Sequence, residues 1–490
     1  MSINTATTAN GFVHGAFIGN QMVAAASGDT VAVIDPANGE VFTHITDCGP
    51  AEVDAAVAAG RAALEGGEWG RMPAFERGRL LARLSQAISE NAEELAALES
   101  RDTGKPACQA NADIAAAARY FEFYAGAADK LHGETIPYLK EFLVATERDP
   151  HGVVAHIIPW NYPAQMFGRN VAPSLAVGNA VVVKPAEDAC LSVLRMAQLA
   201  AEVGFPAGAL AVLPGRGAVT GALLSEHRDI DYIAFTGSPA VGELIQIAAA
   251  KRAIGCTLEL GGKSPHILFG DADLSLAVPA IVNGIVNNAG QTCSAGSRVL
   301  VEREHFDRLV SALADAFGKL RAGTPEMDLD LGPVINRAQR QRIERYCDQA
   351  RRDGISLLAE GAIAPEVPAG GLFVEPRLYG PVDPDNALAR EEVFGPVLCV
   401  MPFEDETEAL HLANDSEFGL LAGIWTRDGG CALRLARRIK AGQIYINGFA
   451  AGGGIELPFG GVKRSGHGRE KGVAAMHELS TIKTIIYRHG

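Results

Sequence analysis

The chain has 490 residues, 48% of them hydrophobic and 21% charged, and its formal net charge at pH 7 is −15. This length can bury large cores and predicts two or three domains. The acidic balance argues against nucleic acid or an anionic membrane surface as a partner, but it does not exclude an anionic small substrate.

Cysteine usage and apolar runs indicate the compartment. The eight cysteines are spread along the chain without a CxxC pair, which argues against a zinc site and a disulfide framework. No apolar run is long enough to span a bilayer, and the polar N-terminus lacks the order of a secretory signal. We therefore expect a cytoplasmic protein without a resident metal.

The N-terminal quarter predicts a mixture of short strands and helices. Residues 1–12 have the composition of a loose tail, and residues 30–35 are typical of a strand. Apolar residues at helical spacing predict one helix over residues 73–100. Residues 102–105, Asp-Thr-Gly-Lys, resemble part of a phosphate-binding loop but lack its glycine spacing, so they predict a turn.

The middle of the chain alternates apolar strands with helices, which predicts a parallel, doubly wound sheet. The predicted strands are residues 153–158, 180–183, 210–213 and 232–236. Ligands of such sheets bind beyond the carboxyl ends of the strands. Those ends carry Lys184, a glycine turn at residues 215–217 and a helix opened by Pro239, all suited to a phosphate-bearing cofactor.

Two further stretches carry residues suited to covalent chemistry. Cys293 lies among small residues from Gly290 to Arg298, where backbone amides can approach a reacting atom, so its thiol is a candidate nucleophile. Glu259 lies between two leucines, and a carboxylate in an apolar pocket has the raised pKa of a general base. The structural alternatives are a small buried cysteine and a glutamate at a solvated strand end.

The C-terminal third predicts a second α/β region. A helix is expected over residues 338–352, a strand over residues 397–400 and a glycine-rich loop over residues 451–461. Residues 481–487 are apolar for a free terminus, which predicts that they pair with another strand, in this chain or in another subunit.

Seven short motifs, in order and in spacing, resemble those of the NAD(P)-dependent aldehyde dehydrogenases along nearly the whole chain. They are Pro159-Trp160-Asn161, Lys184-Pro185-Ala186-Glu187, Phe235-Thr236-Gly237-Ser238, Glu259-Leu260-Gly261-Gly262, Gly290-Gln291-Thr292-Cys293, Glu392-Val393-Phe394-Gly395-Pro396 and Pro458-Phe459-Gly460-Gly461. The resemblance implies an α/β, aldehyde dehydrogenase-like fold and a homodimer or homotetramer.

The same resemblance implies a division into domains. A doubly wound, Rossmann-type cofactor-binding domain would comprise residues 1–127 and 150–259, and an α/β catalytic domain residues 260–465. A small β element for oligomerisation would comprise residues 128–149 and 478–490.

The resemblance also implies the reaction, the oxidation of an aldehyde to a carboxylic acid. Cys293 would attack the aldehyde carbon to give a thiohemiacetal and then a thioester. The Asn161 amide and the Cys293 backbone N–H would hold the oxyanion, and Glu259 would activate the water that releases the acid. Residues implied around the substrate are Tyr162, Arg169, Thr292, Ser294 and Phe459.

For the cofactor, the resemblance implies that Lys184 and Glu187 bind the adenosine ribose; the structural alternative is a solvated helix start. Glu187 should repel a 2′-phosphate, so NAD is expected, although relatives with this glutamate sometimes accept NADP as well. Glu392 would bind the nicotinamide ribose and Phe394 would lie against the ring. The other implied cofactor-binding residues are Ile158, Trp160, Gly217, Gly237, Ser238, Gly242 and Leu260.

The chain departs from the family pattern at two positions on one predicted helix. Asn170 replaces a lysine that, with the glutamate matching Glu470, is thought to carry protons out of the site of relatives. Arg169 replaces a neutral residue, and it would bind a substrate carboxylate or phenolate or pair internally with Glu456. The substrate is therefore expected to be an acidic semialdehyde or a hydroxylated aromatic aldehyde, although Asn287 stands where succinic semialdehyde enzymes have a second arginine.

Three other functions remain as alternatives. A CoA-acylating semialdehyde dehydrogenase would lack a base matching Glu259, and a non-catalytic binding or structural relative would not need Cys293, Glu259 and Asn161 intact. A thiol redox protein would need a resolving cysteine near Cys293 in sequence, where there is none.

Overall fold

The computed structural model of the chain describes residues 6–8, 11–450 and 453–490. Of the predicted loose tail, residues 1–5 and 9–10 lie outside the described residues, whereas residues 6–8 and 11–14 form two paired antiparallel strands.

The strands of the described residues are numbered in chain order. They are β1 (Ala6–Thr8), β2 (Gly11–His14), β3 (Ala16–Ile18), β4 (Gln21–Val23), β5 (Thr30–Asp35), β6 (Glu40–Thr46), β7 (Thr135–Ile136), β8 (Phe142–Pro150), β9 (Val153–Ile157), β10 (Ala180–Lys184), β11 (Leu210–Val212), β12 (Tyr232–Thr236), β13 (Gly255–Glu259), β14 (Pro265–Leu268), β15 (Arg298–Glu302), β16 (Arg321–Ala322), β17 (Leu357–Glu360), β18 (Ala362–Ile363), β19 (Arg377–Tyr379), β20 (Val397–Phe403), β21 (Leu421–Trp425), β22 (Gln443–Ile446), β23 (Gly466–His467) and β24 (Ser480–Arg488).

The α-helices are numbered in the same way. They are α1 (Pro50–Glu65), α2 (Glu68–Arg71), α3 (Ala74–Glu90), α4 (Ala92–Thr103), α5 (Ala107–Ala127), α6 (Pro163–Val177), α7 (Leu191–Glu202), α8 (Ala222–Glu226), α9 (Pro239–Arg252), α10 (Leu274–Val286), α11 (Phe306–Phe317), α12 (Arg337–Arg352), α13 (Ala387–Arg390), α14 (Glu406–Asn414), α15 (Gly429–Arg438) and α16 (Gly472–Glu478).

The first large sheet has eight strands in the order β23-β13-β12-β9-β10-β11-β3-β4. Strands β13, β12, β9, β10 and β11 are parallel neighbours, and β9, β10, β11 and β12 are buried along their whole length. Valine- and isoleucine-rich strands buried on both faces are what a sheet covered by helices on both sides requires. The predicted parallel, doubly wound sheet is therefore confirmed.

The second large sheet has seven strands in the order β17-β19-β20-β15-β14-β21-β22, parallel except at the β17 edge. The chain crosses from the first sheet to the second between Glu259, which ends β13, and Pro265, which begins β14. Cys293 lies in the loop that precedes β15. Glu259 thus lies at the carboxyl end of a strand of the first sheet, and Cys293 lies before the amino end of a strand of the second sheet.

A third, three-stranded sheet joins the end of the chain to its middle. The last strand, β24, runs antiparallel to β8 from Ser480 to Arg488, and β7 pairs with the other edge of β8. The predicted pairing of the terminal strand is confirmed, and its partner belongs to the same chain.

Two local predictions were wrong or incomplete. The helix expected over residues 73–100 is two helices, α3 and α4, which meet at Asn91. The backbone of Asn91 leaves the helical conformation (φ −107°, ψ 21°), and its side-chain amide donates to the Ala87 carbonyl at the end of α3 (2.8 Å). The turn expected over residues 102–105 begins inside α4, and the left-handed Gly104 (φ 79°) ends that helix. Helices α7, α9 and α12 confirm the predictions for their regions.

In the predicted glycine-rich loop, Ala451 and Gly452 lie outside the described residues, and residues 453–461 follow a loop path. Across the part of the chain that is described, no helix is long and apolar enough to cross a bilayer.

Candidate active site

A cavity of about 1140 Å³ brings together most of the predicted site residues. Those on its wall are Trp160, Asn161, Tyr162, Arg169, Gly237, Ser238, Glu259, Thr292, Cys293, Ser294, Glu392, Phe394 and Phe459. The predicted residues outside its wall are Ile158, Lys184, Glu187, Gly217 and Leu260, which belong to the strand ends and turns of the first sheet, and Gly242, which lies in α9.

The loop that carries Cys293 follows three consecutive residues in the left-handed region, Asn288 (φ 50°), Ala289 (φ 53°) and Gly290 (φ 73°). A Cβ at Gly290 would lie 2.1 Å from the Gly395 carbonyl oxygen, so this position needs glycine for space as well as for its φ. The two non-glycine residues cost about 1–2 kcal/mol each in this conformation. Contacts from outside the loop must therefore hold it.

Side-chain hydrogen bonds supply those contacts. Asn288 Nδ2 donates to the Asn161 carbonyl (2.8 Å). Gln291, which is fully buried, donates to the Asn288 carbonyl (3.0 Å) and accepts from the Ile335 backbone N–H (2.9 Å). The loop is thus tied to the segment before α6 and to the segment before α12.

Asn161 and Cys293, both on the cavity wall, have N–H groups that can donate to a bound oxygen. Asn161 lies just before α6, and its Nδ2 donates one proton to the Gln291 carbonyl (2.9 Å), which leaves the second N–H of the amide for another acceptor. Among the described residues, the Cys293 backbone N–H has no hydrogen-bond partner. A Cβ at Gly262 would lie 2.4 Å from the Cys293 carbonyl oxygen, so the glycine after β13 allows the two segments to touch.

The Cys293 side chain is partly buried. Burial raises the pKa of its thiol to about 12, and the carboxylates of Glu392, Glu259 and Glu470 act in the same direction, against the nearby Arg169. The thiolate is the nucleophilic form of cysteine, so reaction at neutral pH requires a base or a cation to favour it.

Glu259 ends β13 and is 2% exposed. Burial raises the pKa of its carboxyl well above the ordinary value, with Glu470 adding to this effect, while Arg169, Arg469 and Lys471 lower it. Neither carboxylate oxygen accepts a hydrogen bond from a described residue. This carboxyl can therefore take up a proton from a water molecule in the cavity.

The predicted internal pairing of Arg169 with Glu456 is wrong. Its guanidinium forms an ion pair with Glu470, without hydrogen-bond geometry, and its Nη2 lies 3.9 Å from Glu259 Oε2. Its Cζ also lies 4.2 Å from the centre of the Phe459 ring. Glu456, the partner considered from the sequence, is exposed and instead accepts a hydrogen bond from Arg119 (2.5 Å).

The surroundings of Arg169 favour its charged form. Burial by itself would lower the pKa of this guanidinium, but Glu470, Tyr120 and Glu259 together raise it above the ordinary value. The neighbouring Asn170 donates to the Met166 carbonyl of its own helix (3.0 Å).

Lys471 is a charged neighbour of the site that the sequence analysis does not predict. Its side chain is buried, its Nζ lies 5.2 Å from the centre of the Phe459 ring, and burial lowers its pKa to about 7. The only cue in the sequence is its place next to Glu470. A lysine in an irregular, glycine-rich stretch is otherwise expected in solvent.

The strand ends of the first sheet form the second part of the site. Lys184, the last residue of β10, donates to Glu187 (3.0 Å), which also accepts from the Gly217 backbone N–H (3.1 Å). Burial would raise the pKa of Glu187, but Lys184 and these hydrogen bonds lower it below the ordinary value. The Ile158 N–H donates to the Lys184 carbonyl (3.0 Å), so Ile158 helps to fix the backbone of Lys184.

The start of α9 faces the same side of the sheet. Ser238 caps the helix by accepting from the Val241 N–H (3.4 Å), and Pro239 occupies its first turn. A helix N-terminus of this kind attracts phosphate groups. A Cβ at Gly242 would lie 2.6 Å from the Leu260 side chain, so glycine allows α9 to pack closely there.

Glu392 and Phe394 lie on the far wall of the cavity. Glu392 accepts from the Gly262 N–H (2.9 Å), and burial raises its pKa to about 7. The Phe394 ring meets Trp160 edge-on, with 5.5 Å between the ring centres. The described residues contain no group of three or more metal-ligating side chains.

Comparison with known proteins adds the family context. The sequence model of the aldehyde dehydrogenase family matches residues 22–485. An aldehyde dehydrogenase of Emericella nidulans is 41% identical over 478 residues, which cover 97% of this chain and 95% of that protein.

Solved structures of similar proteins support the same family. The crystal structure of a Burkholderia cenocepacia protein assigned as an aldehyde dehydrogenase superposes with a TM-score of 0.96 at 55% identity, covering 97% of this chain and 100% of the other. An NAD⁺ complex of aldehyde dehydrogenase from Bacillus cereus superposes with a TM-score of 0.94 at 39% identity, covering 97% of each chain.

Proposed function

Because the chain belongs to the aldehyde dehydrogenase family of oxidoreductases, we propose that it oxidises an aldehyde to a carboxylic acid with NAD, through a covalent bond to Cys293. One observation carries the proposal: the thiol of Cys293, the carboxyl of Glu259 and the amide of Asn161 line the same cavity. A nucleophile, a base and an oxyanion donor are the parts that this reaction needs.

In the first step the thiolate of Cys293 attacks the aldehyde carbon and forms the oxyanion of a thiohemiacetal. The second N–H of the Asn161 amide and the Cys293 backbone N–H hold the oxygen that gains negative charge. Each pre-placed donor of this kind lowers the barrier by about 3–4 kcal/mol. Asn161 is already oriented by its bond to the Gln291 carbonyl, so little reorganisation is needed.

NAD, when bound, supplies the hydride acceptor that turns the thiohemiacetal into a thioester. Lys184 and Glu187 would hold its adenosine ribose, the start of α9 at Ser238 its phosphates, and Glu392 its nicotinamide ribose. The cluster fits a 2′-hydroxyl better than a 2′-phosphate, because Glu187 is ionised and turned toward Gly217. NAD is therefore the proposed cofactor, with NADP as a weaker one.

In the last step Glu259 takes a proton from a water molecule, which attacks the thioester and releases the acid. The carboxyl must be ionised to do this, although burial favours its neutral form. Arg169 at 3.9 Å and the buried Lys471 favour ionisation. A water-activating carboxyl supports hydrolysis over transfer of the acyl group to CoA.

The surroundings of the thiol favour an uncharged substrate over an acidic semialdehyde. Arg169, the residue considered for a substrate carboxylate, is already paired with Glu470 and close to Glu259. Besides charged residues, the wall of the cavity carries amides and aromatic rings. They include Gln109, Gln165, Asn283, Asn287, Tyr120, Tyr162 and Phe449. We therefore favour a hydroxylated aromatic aldehyde, whose ring and hydroxyl groups match these side chains.

Exposed apolar side chains support a homodimer or homotetramer. Ile486 and Tyr487 on β24 are 63% and 61% exposed, and Leu244 on α9 is 64% exposed. Apolar groups of this size on an edge strand are usually covered by another subunit. Residues 128–149 and 478–490 form the proposed oligomerisation element.

The protein is proposed to have two main domains and to be located in the cytoplasm. Residues 1–127 and 150–259 form the proposed cofactor-binding domain, and residues 260–465 the proposed catalytic domain. The eight cysteines are all free, which is consistent with a reducing cytoplasm.

Rapid-mixing measurement of NADH formation tests the mechanism, with a panel of aromatic, aliphatic and acidic aldehydes. Wild type should turn over, Cys293→Ala should produce no NADH, and Glu259→Gln should give at most one equivalent and then stall. Full steady-state turnover in Glu259→Gln would remove the glutamate from the mechanism. A wild-type protein that binds NAD but produces no NADH with any aldehyde would instead indicate a non-catalytic relative.

A further inference from the structure

The Asp-Thr-Gly-Lys turn ends in a buried cation that the mechanism above does not use. The Lys105 side chain has no solvent exposure, and its Nζ contacts the carboxylates of Asp113 and, at 3.4 Å, of Glu99. Glu99 is equally buried, and burial raises its pKa. A buried ammonium between two carboxylates is costly to build unless its partners hold a specific geometry.

Most other contacts of this cluster fall on the first turn of α6, and Glu99 also accepts from the Ser192 hydroxyl on α7 (2.6 Å). Glu99 accepts from the Ala164 backbone N–H (3.3 Å), and Asp113 accepts from the Gln165 side-chain amide (2.6 Å). Lys105 Nζ lies 4.1 Å from the centre of the Tyr162 ring, within the range of a cation–π contact. The three charged groups thus hold three of the four residues that directly follow Asn161.

Tyr162 continues the connection to the nucleophile loop. Its hydroxyl shares a hydrogen bond with Thr292 Oγ1 (2.6 Å) and donates to Asn287 Oδ1 (2.9 Å). Thr292 directly precedes Cys293. The residue after the oxyanion amide is therefore bonded to the residue before the nucleophile.

We propose that Lys105 is a positioning residue, which holds the start of α6 so that the Asn161 amide faces the oxygen bound at Cys293. The proposal rests on the proposed function, because it acts through the oxyanion role of Asn161. Without the ammonium, Glu99 and Asp113 would be two unpaired buried carboxylates, and they would have to take up protons or move. Movement would release the contacts to Ala164 and Gln165, and protonation would weaken them by removing the charge of the acceptor. A shift of about 1 Å in a reacting group slows a reaction by roughly a hundredfold.

The test compares Lys105→Met with Arg77→Met. Arg77, on α3, donates to the Ala176 and Val177 carbonyls at the opposite end of α6 (3.1 and 3.2 Å), so it is a matched cation that contacts the same helix. The readout is the rate of the first NADH equivalent in rapid mixing. Lys105→Met should lower that rate about tenfold to a hundredfold and leave the Kd for NAD within about threefold of wild type. Arg77→Met should lower Tm and leave the rate unchanged.

A double-mutant cycle separates positioning from general destabilisation. In an Asn161→Ala background, which has lost the amide, Lys105→Met should slow the first turnover by less than about threefold. If the effects of the two substitutions multiply in full, or if Lys105→Met is as fast as wild type while Asn161→Ala is slow, the proposal is wrong. Wild type that forms no NADH would contradict the proposed function instead.

If Lys105→Met does not fold, the triple variant Lys105→Met/Glu99→Gln/Asp113→Asn can be measured in its place. The triple variant leaves no unpaired buried charge. It should show the same slow first turnover and the same loss of effect without Asn161. A rate equal to wild type in this variant would also overturn the proposal.

Discussion

Replacing Arg169 with leucine should change the pH dependence of turnover rather than the choice of substrate. The guanidinium lies 3.9 Å from Glu259 and is paired with Glu470, so it acts on the base of the reaction. Glu259 works only when it is ionised, and Arg169 lowers the pKa of this carboxyl against the effect of burial. Without the cation the pKa rises further, so the acid limb of the kcat profile should move to higher pH.

The distance gives the size of the shift. Two unit charges 3.9 Å apart interact by about 4 kcal/mol at an effective dielectric constant of about 20. Because Glu470 shares the same guanidinium, only part of this interaction energy acts on the ionisation of Glu259, and this part is roughly 1.5–3 kcal/mol. At 1.36 kcal/mol per pH unit, the acid limb should move up by about 1–2 units. At pH values below the acid limb, the kcat of Arg169→Leu should be about tenfold to a hundredfold lower than that of wild type.

The assay is steady-state kcat between about pH 6 and pH 10, with a neutral and an acidic aldehyde of similar size. The shift should be equal for both aldehydes, and Arg169→Lys, which keeps a positive charge, should show less than half of it. Because Glu470 loses its partner, the leucine variant should also lose about 3–5 kcal/mol of stability, so rates are compared well below its Tm. An unmoved acid limb, or a loss confined to the acidic aldehyde, would refute this reasoning and restore a substrate-binding role for Arg169.

Three other substitutions test the remaining parts of the site and surface. Glu187→Ser should raise the KM for NAD and improve NADP relative to NAD by about tenfold, since a repelling carboxylate is lost; an unchanged ratio of kcat/KM values would count against the assigned ribose contact. Gly262→Ala should lower kcat by at least about a hundredfold in a folded protein, because the new Cβ would lie 2.4 Å from the Cys293 carbonyl oxygen; near-normal kinetics would show that the loop yields freely. Ile486→Asp should shift sedimentation toward smaller species without loss of the monomer fold, and an unchanged sedimentation profile would place the subunit contact elsewhere.

The sequence predicts the parts of this molecule that depend on local patterns. The β9 and β10 strands are predictable because both faces are apolar, and the positions of Cys293 and Glu259 because short glycine-containing motifs surround them. The break at Asn91 was not predictable from periodicity, since the apolar stripe continues across it and no glycine or proline marks the end of α3.

The partners of buried charges were the least predictable part. Arg169 could be assigned to the cavity, but its partner Glu470 comes from a distant loop, and charge alone does not distinguish Glu470 from Glu456. Lys105 follows a helix-ending glycine and would normally be solvated. Its burial depends on the packing of α5 against α4 and α6, which no local pattern reports.

The left-handed run at residues 288–290 has a consequence for how the protein loses activity. A loop of unfavourable backbone conformation is held mainly by hydrogen bonds from remote segments, so its local opening free energy should be lower than that of either sheet. Warming or mild denaturant should then release the Cys293 loop while both large sheets stay intact. Inactivation and unfolding would appear as two separate events: thiol labelling and loss of turnover would come first, and loss of secondary structure only later.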